Sequence, residues 1–185
     1  MKNSGIQINH QKLKSLTLTF TAIAIVSLTG CQTLNGFGDK KATATLESKS
    51  GSTATGQVTF TSQGHEVLVN ARFSGLKPNS NHGFHIHDKG DCSAADGTSA
   101  GGHFNPETKT HGTPNSGMNH AGDLPNIQSD AKGNAVYTAK LHGFSVDDSA
   151  TGILGRSVII HRDQDDYKTQ PAGNSGPRIA CGLIK

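Results

Sequence analysis

The chain has 185 residues, with 17 Lys plus Arg against 14 Asp plus Glu, 32% hydrophobic residues, 23 glycines and no tryptophan. A formal net charge of +3, with no Lys/Arg cluster and no aromatic ladder, argues against a nucleic-acid partner. The whole excess sits in the first thirty residues, where Lys2, Lys12 and Lys14 stand without an acid, so the remainder carries fourteen charges of each sign.

Those lysines precede an apolar run, Leu16 to Leu28. At about thirteen residues it is too short to span a bilayer as a helix and the right length for a signal-peptide core. It ends in Leu28-Thr29-Gly30-Cys31, which resembles the lipobox of bacterial lipoproteins. That resemblance implies a signal peptide over residues 1–30, cleavage before Cys31, and acyl chains on Cys31 that anchor the protein to a membrane. An ordinary signal peptide cut nearby, with Cys31 incidental, is the alternative. Gln32, where Asp would retain a lipoprotein on the inner membrane of enteric bacteria, implies the outer membrane instead, on the periplasmic side of the envelope. Residues 31–41 read as the lipidated cysteine and a short polar tether.

Residues 42–185 suit one domain with a single core. Ala42–Leu46, Gly56–Phe60, Val67–Phe73 and Asn134–Leu141 alternate apolar with polar residues at the period of strands. Gly, Asn, Asp and Ser clusters punctuate them, and no segment shows a 3.6-residue apolar period. The class is all-β, a sandwich or barrel. Two connections are too long for hairpins, residues 88–121 and 162–177, and long loops in compact domains are usually functional. If Cys31 carries lipid, Cys92 and Cys181 are left as an even pair in an exported protein, where disulfides persist. Two free buried thiols are the other option.

The first long loop and its flanks concentrate the chemistry. His85 and His87 are two apart in a strand, so both rings leave the same face about 6.6 Å apart at the backbone and can grip one ion. His161 closes the run Ser157-Val-Ile-Ile and can reach that ion from another strand. Imidazoles alone suit Cu(II). His103, His111, His120 and Asp123 follow at gaps of eight, nine and three, which fit no helix and require a folded loop. Three imidazoles and one carboxylate make the closed set of a structural zinc. Six histidines and one aspartate are too many ligands for one metal and the right number for two that share one.

The segments His85-Ile-His87, Gly101-Gly102-His103-Phe104-Asn105-Pro106, His120-Ala-Gly-Asp123-Leu124, Gly155-Arg-Ser-Val-Ile-Ile-His161 and Arg178-Ile-Ala-Cys181-Gly182 resemble those of the copper/zinc superoxide dismutases. The resemblance spans roughly residue 42 to the C-terminus and implies an eight-stranded Greek-key β-barrel or sandwich, immunoglobulin-like, with two long functional loops. It implies one copper per chain on His85, His87, His103 and His161, and one zinc on His103, His111, His120 and Asp123. His103 is then the shared ring, an imidazolate held between two dications. The implied reaction is dismutation of superoxide to dioxygen and hydrogen peroxide. His103 returns a proton, and Arg178, three residues before Cys181, receives the anion. Asp165 matches the carboxylate that links a copper ligand to a zinc ligand, with Asp163 and Asp166 as neighbouring candidates. The family also pairs Cys92 with Cys181. A homodimer is a possible assembly, but Cys92 comes five residues after His87, earlier than in animal members, which leaves its surfaces open. His10, His65, His82 and His142 are expected to be non-ligands. The alternative function is a non-catalytic copper/zinc-binding envelope protein of the same fold.

Overall fold

Ala42, Ala44 and Leu46 are buried while Lys41, Thr43 and Thr45 between them face solvent. This is the pattern of a strand with one wet face. It recurs in the next two strands of the computed structural model, which describes residues 40–185. The expected signal peptide, Cys31 and all but the end of the tether lie outside the described residues. Eight strands follow in order: β1 (Lys41–Ser48), β2 (Thr55–Gln63), β3 (Glu66–Ser74), β4 (Asn81–His87), β5 (Asp123–Gln128), β6 (Ala135–Leu141), β7 (Ser157–His161) and β8 (Arg178–Leu183). Among the described residues the only helix is a 3₁₀ turn, Thr98–Ala100.

All pairings are antiparallel, and the strand order is β5-β4-β7-β8-β1-β2-β3-β6. The outer strands β5 and β6 come together, so the sheet is a nearly closed Greek-key barrel, as expected. Its core includes Phe60, Val69, Phe84, Ile86, Leu124, Val158 and Ile160. Phe84 packs edge-on against Phe73 and Tyr137, with ring centres 5.3 and 5.2 Å apart. Each large apolar side chain so buried contributes roughly 1.5–3 kcal/mol before entropy is counted.

β4 and β7 break the one-wet-face rule. Every residue of β7, and every residue of β4 after Asn81, is buried. Their inward side chains, Phe84, Ile86, Val158 and Ile160, belong to the core, and the alternate set of His85, His87, Ile159 and His161 is covered by the long loops. Residues 88–122 and 162–177 are those loops, matching the sequence expectation closely. A third long connection, 142–156, joins β6 to β7 beyond the two that the sequence marks. It inserts Phe144, Val146 and Ile153 into the core, and Asp147 accepts hydrogen bonds from Ser145 and Ser149 to hold its turn. Its apolar residues follow neither the strand nor the helix period, so nothing in the pattern marks it as structured.

Cys92 and Cys181 are joined in a disulfide with Cα atoms 5.7 Å apart. The bond ties the first loop to β8 and packs with Ala100 and Ile159 in a small apolar cluster outside the main core.

Candidate metal centre

Two groups of side chains have their ligand atoms within 4.8 Å of one another: His85, His87, His103 and His161, and His103, His111, His120 and Asp123. They share His103. β4 presents His85 and His87, β7 ends in His161, and β5 begins with Asp123. The first loop brings the remainder, and a bridge between His87 and His103 lays its middle against the end of β4.

The ring nitrogens that face away from the clusters are committed. His85 Nε2 lies 2.7 Å from Asp165 Oδ2. His87 Nδ1 donates to the Gly101 carbonyl and His161 Nδ1 to the Gly176 carbonyl, each at 3.0 Å. A carbonyl can only accept, so both Nδ1 atoms carry the proton and both Nε2 atoms present lone pairs. Those two Nε2 atoms face each other at 3.4 Å. Two acceptors cannot hydrogen-bond to one another, and burial together with neighbouring histidines holds both rings well below the usual imidazole range. His85 Nδ1 and His103 Nε2 in the same cluster are buried without a partner. Four nitrogen lone pairs converging in a buried space are a donor set that suits a copper ion.

Asp123 organises the second cluster. Its Oδ1 lies 2.8 Å from His103 Nδ1 and 3.0 Å from His111 Nδ1. His120 Nδ1 comes within 3.2 Å of the same oxygen without the alignment of a hydrogen bond. Oδ2 accepts from the His120 and Gly112 amides. Three imidazoles crowding one carboxylate oxygen fit a tetrahedral zinc. Burial would raise Asp123, but hydrogen bonds from His103 and His111 hold it well below the ordinary carboxylate range. Burial, and then the neighbouring His85, lower His103 to about 4.

Asp165 joins the two clusters, with Oδ2 on His85 and Oδ1 on His111 Nε2 at 2.9 Å. Asp163 instead pairs with Arg162, and Asp166 caps its own turn through Lys168 and Thr169. Arg178 is half-buried beside the first cluster and donates to the Gly97 and Gly101 carbonyls at 2.6 and 2.5 Å. His82 donates through Nδ1 to the His161 carbonyl at 3.0 Å, supporting a cluster residue while belonging to neither group. His65 and His142 are exposed and lie outside both groups, and His10 lies outside the described residues.

Sequence reasoning missed the supports. The Gly101 carbonyl serves both His87 and Arg178. The Gln170 amide accepts from His111 N at 2.9 Å and donates to His111 O at 2.8 Å. Asn126 grips the Asp165 main chain on both sides at 2.9 Å. A carbonyl has no sequence signature, and an amide side chain in a loop has none that distinguishes it from its neighbours.

Comparison with known proteins places this geometry. A family model described as copper/zinc superoxide dismutase (SODC) matches residues 54–184. The chain is 46% identical over 124 residues to superoxide dismutase [Cu-Zn] 1 of Aquifex aeolicus (strain VF5), covering 64% of this chain and 73% of that one. It is 41% identical over 150 residues to superoxide dismutase [Cu-Zn] of Caulobacter vibrioides, covering 78% and 85% respectively. Among solved structures, the clock protein EA4 superposes with a TM-score of 0.72 at 38% identity, covering 79% of this chain and 94% of that one. The matched span contains every residue of both clusters, Asp165, Arg178 and both disulfide cysteines, and the chain belongs to the copper/zinc superoxide dismutase family.

Proposed function

We propose that this chain dismutates superoxide, converting two anions and two protons into dioxygen and hydrogen peroxide. His85, His87, His103 and His161 hold one copper, His103, His111, His120 and Asp123 hold one zinc, and His103 is the ring between them. The observation that carries the reading is the face-to-face pair of unprotonated nitrogens, His87 Nε2 and His161 Nε2, 3.4 Å apart. Copper, when bound, supplies the one-electron couple. The chain's residues do the rest. Arg178 receives the anion with a guanidinium charged at any working pH. His103 Nε2, which faces the copper cluster, carries a proton for the peroxide product, and Asp165 orients His85 and His111 through their outer nitrogens.

Loading the full chain, purified in mild detergent, with copper and zinc and following superoxide decay by pulse radiolysis tests the reading. Sustained turnover supports it; stoichiometric consumption that then stops would point to a metal-binding protein instead.

Two further outcomes probe the zinc half. Burial disfavours a charged His111, but hydrogen bonds to Asp123 and Asp165 outweigh it and raise the ring to about 9 without metal. The ring must lose its Nδ1 proton before zinc is held there. Zinc affinity should therefore rise with pH up to about 9 and flatten beyond. At pH 7, uptake should release about one proton from this ring, and calorimetry in buffers of different ionisation heats counts it; no release would contradict the assignment. Gly173 has φ +64, and a Cβ there would overlap Asp165 Oδ1 and crowd His111 Nε2. Gly173→Ala should weaken zinc binding by about 10- to 100-fold, read by competition with a chromophoric chelator. Unchanged affinity would make the Asp165 link idle.

The same reading has the protein exported, cut before Cys31 and held by lipid to the envelope, with the outer membrane favoured. It is supported by the basic leader, the apolar run and the Leu28–Cys31 segment. The Cys92–Cys181 bond also accords with an oxidising compartment. Cys31→Ser should move the protein from the membrane fraction to the soluble one; an unchanged distribution would remove the anchor.

A further inference from the structure

Arg156 lies in the Gly155–His161 segment, and the proposed reaction gives it no task. Its guanidinium carbon sits 3.7 Å from the centre of the Phe104 ring. Its Nε donates to the Gly152 carbonyl at 2.8 Å. One Nη donates to Asp88 twice, to the main-chain oxygen at 2.9 Å and to the carboxylate at 2.7 Å. The side chain is only 20% exposed and Phe104 is 1% exposed, so the stacking is shielded from water and salt, whereas the Asp88 carboxylate is 58% exposed and its pairing is screened.

What Arg156 touches matters more than how tightly. Asp88 follows His87, and Phe104 follows His103. Arg156 also immediately precedes β7, which ends in His161. Around it, Asp88 N donates to Gly102 O, Phe104 N to Ile86 O, and Gly122 N to Phe104 O, at 2.9, 2.9 and 2.8 Å. The segment carrying His103 is thus laid against β4, with Arg156 closing its outer side. Phe104 is held through its own main chain on both sides, its N donating to Ile86 O and its O accepting from Gly122 N, so the backbone that carries the stacked ring also places the adjoining His103.

We propose that Arg156 is a positioning residue for the copper cluster. By clamping the residues that follow His87 and His103, it sets the angle at which His103 Nε2 meets the other three nitrogens. The inference rests on the copper assignment above. A lysine cannot replace it, because a point charge cannot stack on Phe104 and serve the Gly152 and Asp88 acceptors in one planar fork.

The test uses the full chain loaded with copper and zinc, with Arg156→Lys and Phe104→Leu made separately and folding checked by circular dichroism. Both variants are expected to shift the copper hyperfine splitting in the electron paramagnetic resonance spectrum. Copper retention against a chelator should fall by about 10- to 100-fold, with zinc content unchanged. Parental spectra and retention in the folded variants, with only a lower unfolding temperature, would reduce Arg156 to a stabilising contact and overturn the proposal. Should Arg156→Lys not fold, Phe104→Leu decides alone, since it removes the stacking and leaves the three hydrogen bonds. A parent chain without a nitrogen-coordinated copper signal would instead overturn the copper assignment beneath it.

Discussion

Arg178→Ala should leave copper and zinc contents at one each while the rate of superoxide decay falls at least about tenfold. The separation follows from where the side chain points. Arg178 touches none of the metal-cluster side chains through a hydrogen bond; its donors go to the Gly97 and Gly101 carbonyls. Gly101 remains held by His87 Nδ1 when the guanidinium is gone, so His87 keeps its tautomer, and His85 and His161 take theirs from Asp165 and Gly176. The variant loses a fixed cation beside the cluster. Rates driven by charge are salt-sensitive, behaviour for which copper/zinc superoxide dismutase is itself a standard example. The slope of rate against ionic strength should therefore flatten in the variant. Arg178→Lys should recover part of the salt dependence but less of the rate, because it restores charge without two donors in one plane. An unchanged rate in Arg178→Ala with full metal content would remove the residue from anion binding.

Replacing Cys92 and Cys181 together with Ser should cost about 4–5 kcal/mol, the chain-entropy value for a loop of about ninety residues. The bond spans a sequence separation of 89, and typical domains hold only about 5–15 kcal/mol in all. For a domain of this size the loss corresponds to a fall of roughly 10–20 °C in unfolding temperature, measured by calorimetry on the metal-free protein. Activity should fall as well at temperatures where the variant is folded. Cys181 is three residues after Arg178, and the loop that Cys92 anchors carries both carbonyls that hold the guanidinium. Equal unfolding temperatures would contradict the stabilising role; equal rates would show that Arg178 is held without the bridge.

Gly173 and Asp165 mark where reading residues in a row stops working. Asp163, Asp165 and Asp166 are alike in composition and spacing, and a resemblance is needed to prefer one. Three-dimensional placement separates them: Asp165 is fully buried between His85 and His111, whereas Asp163 turns to Arg162 and Asp166 to its own backbone. Gly173 is one of two glycines in its loop, and only the folded chain shows that its missing Cβ makes room for that carboxylate. The third loop, 142–156, escaped notice for a related reason. Its three core residues, Phe144, Val146 and Ile153, reach the core from a loop rather than a strand, so no sustained period marks them.

Strands and the candidate ligand groups were legible because each depends on short-range regularities: alternation over a few residues, His-x-His on one face, a carboxylate three residues after an imidazole. Chain order alone therefore determined an all-β domain with enough candidate ligands for two metals, and the family resemblance pointed to His103 as the shared one. Tertiary structure decided which nitrogen of each ring is free and which carboxylate spans the groups. It also decided which carbonyls hold Arg178 and what Arg156 clamps. Those depend on contacts between residues 14 to 81 positions apart, and such contacts exist only once the barrel has brought its loops together.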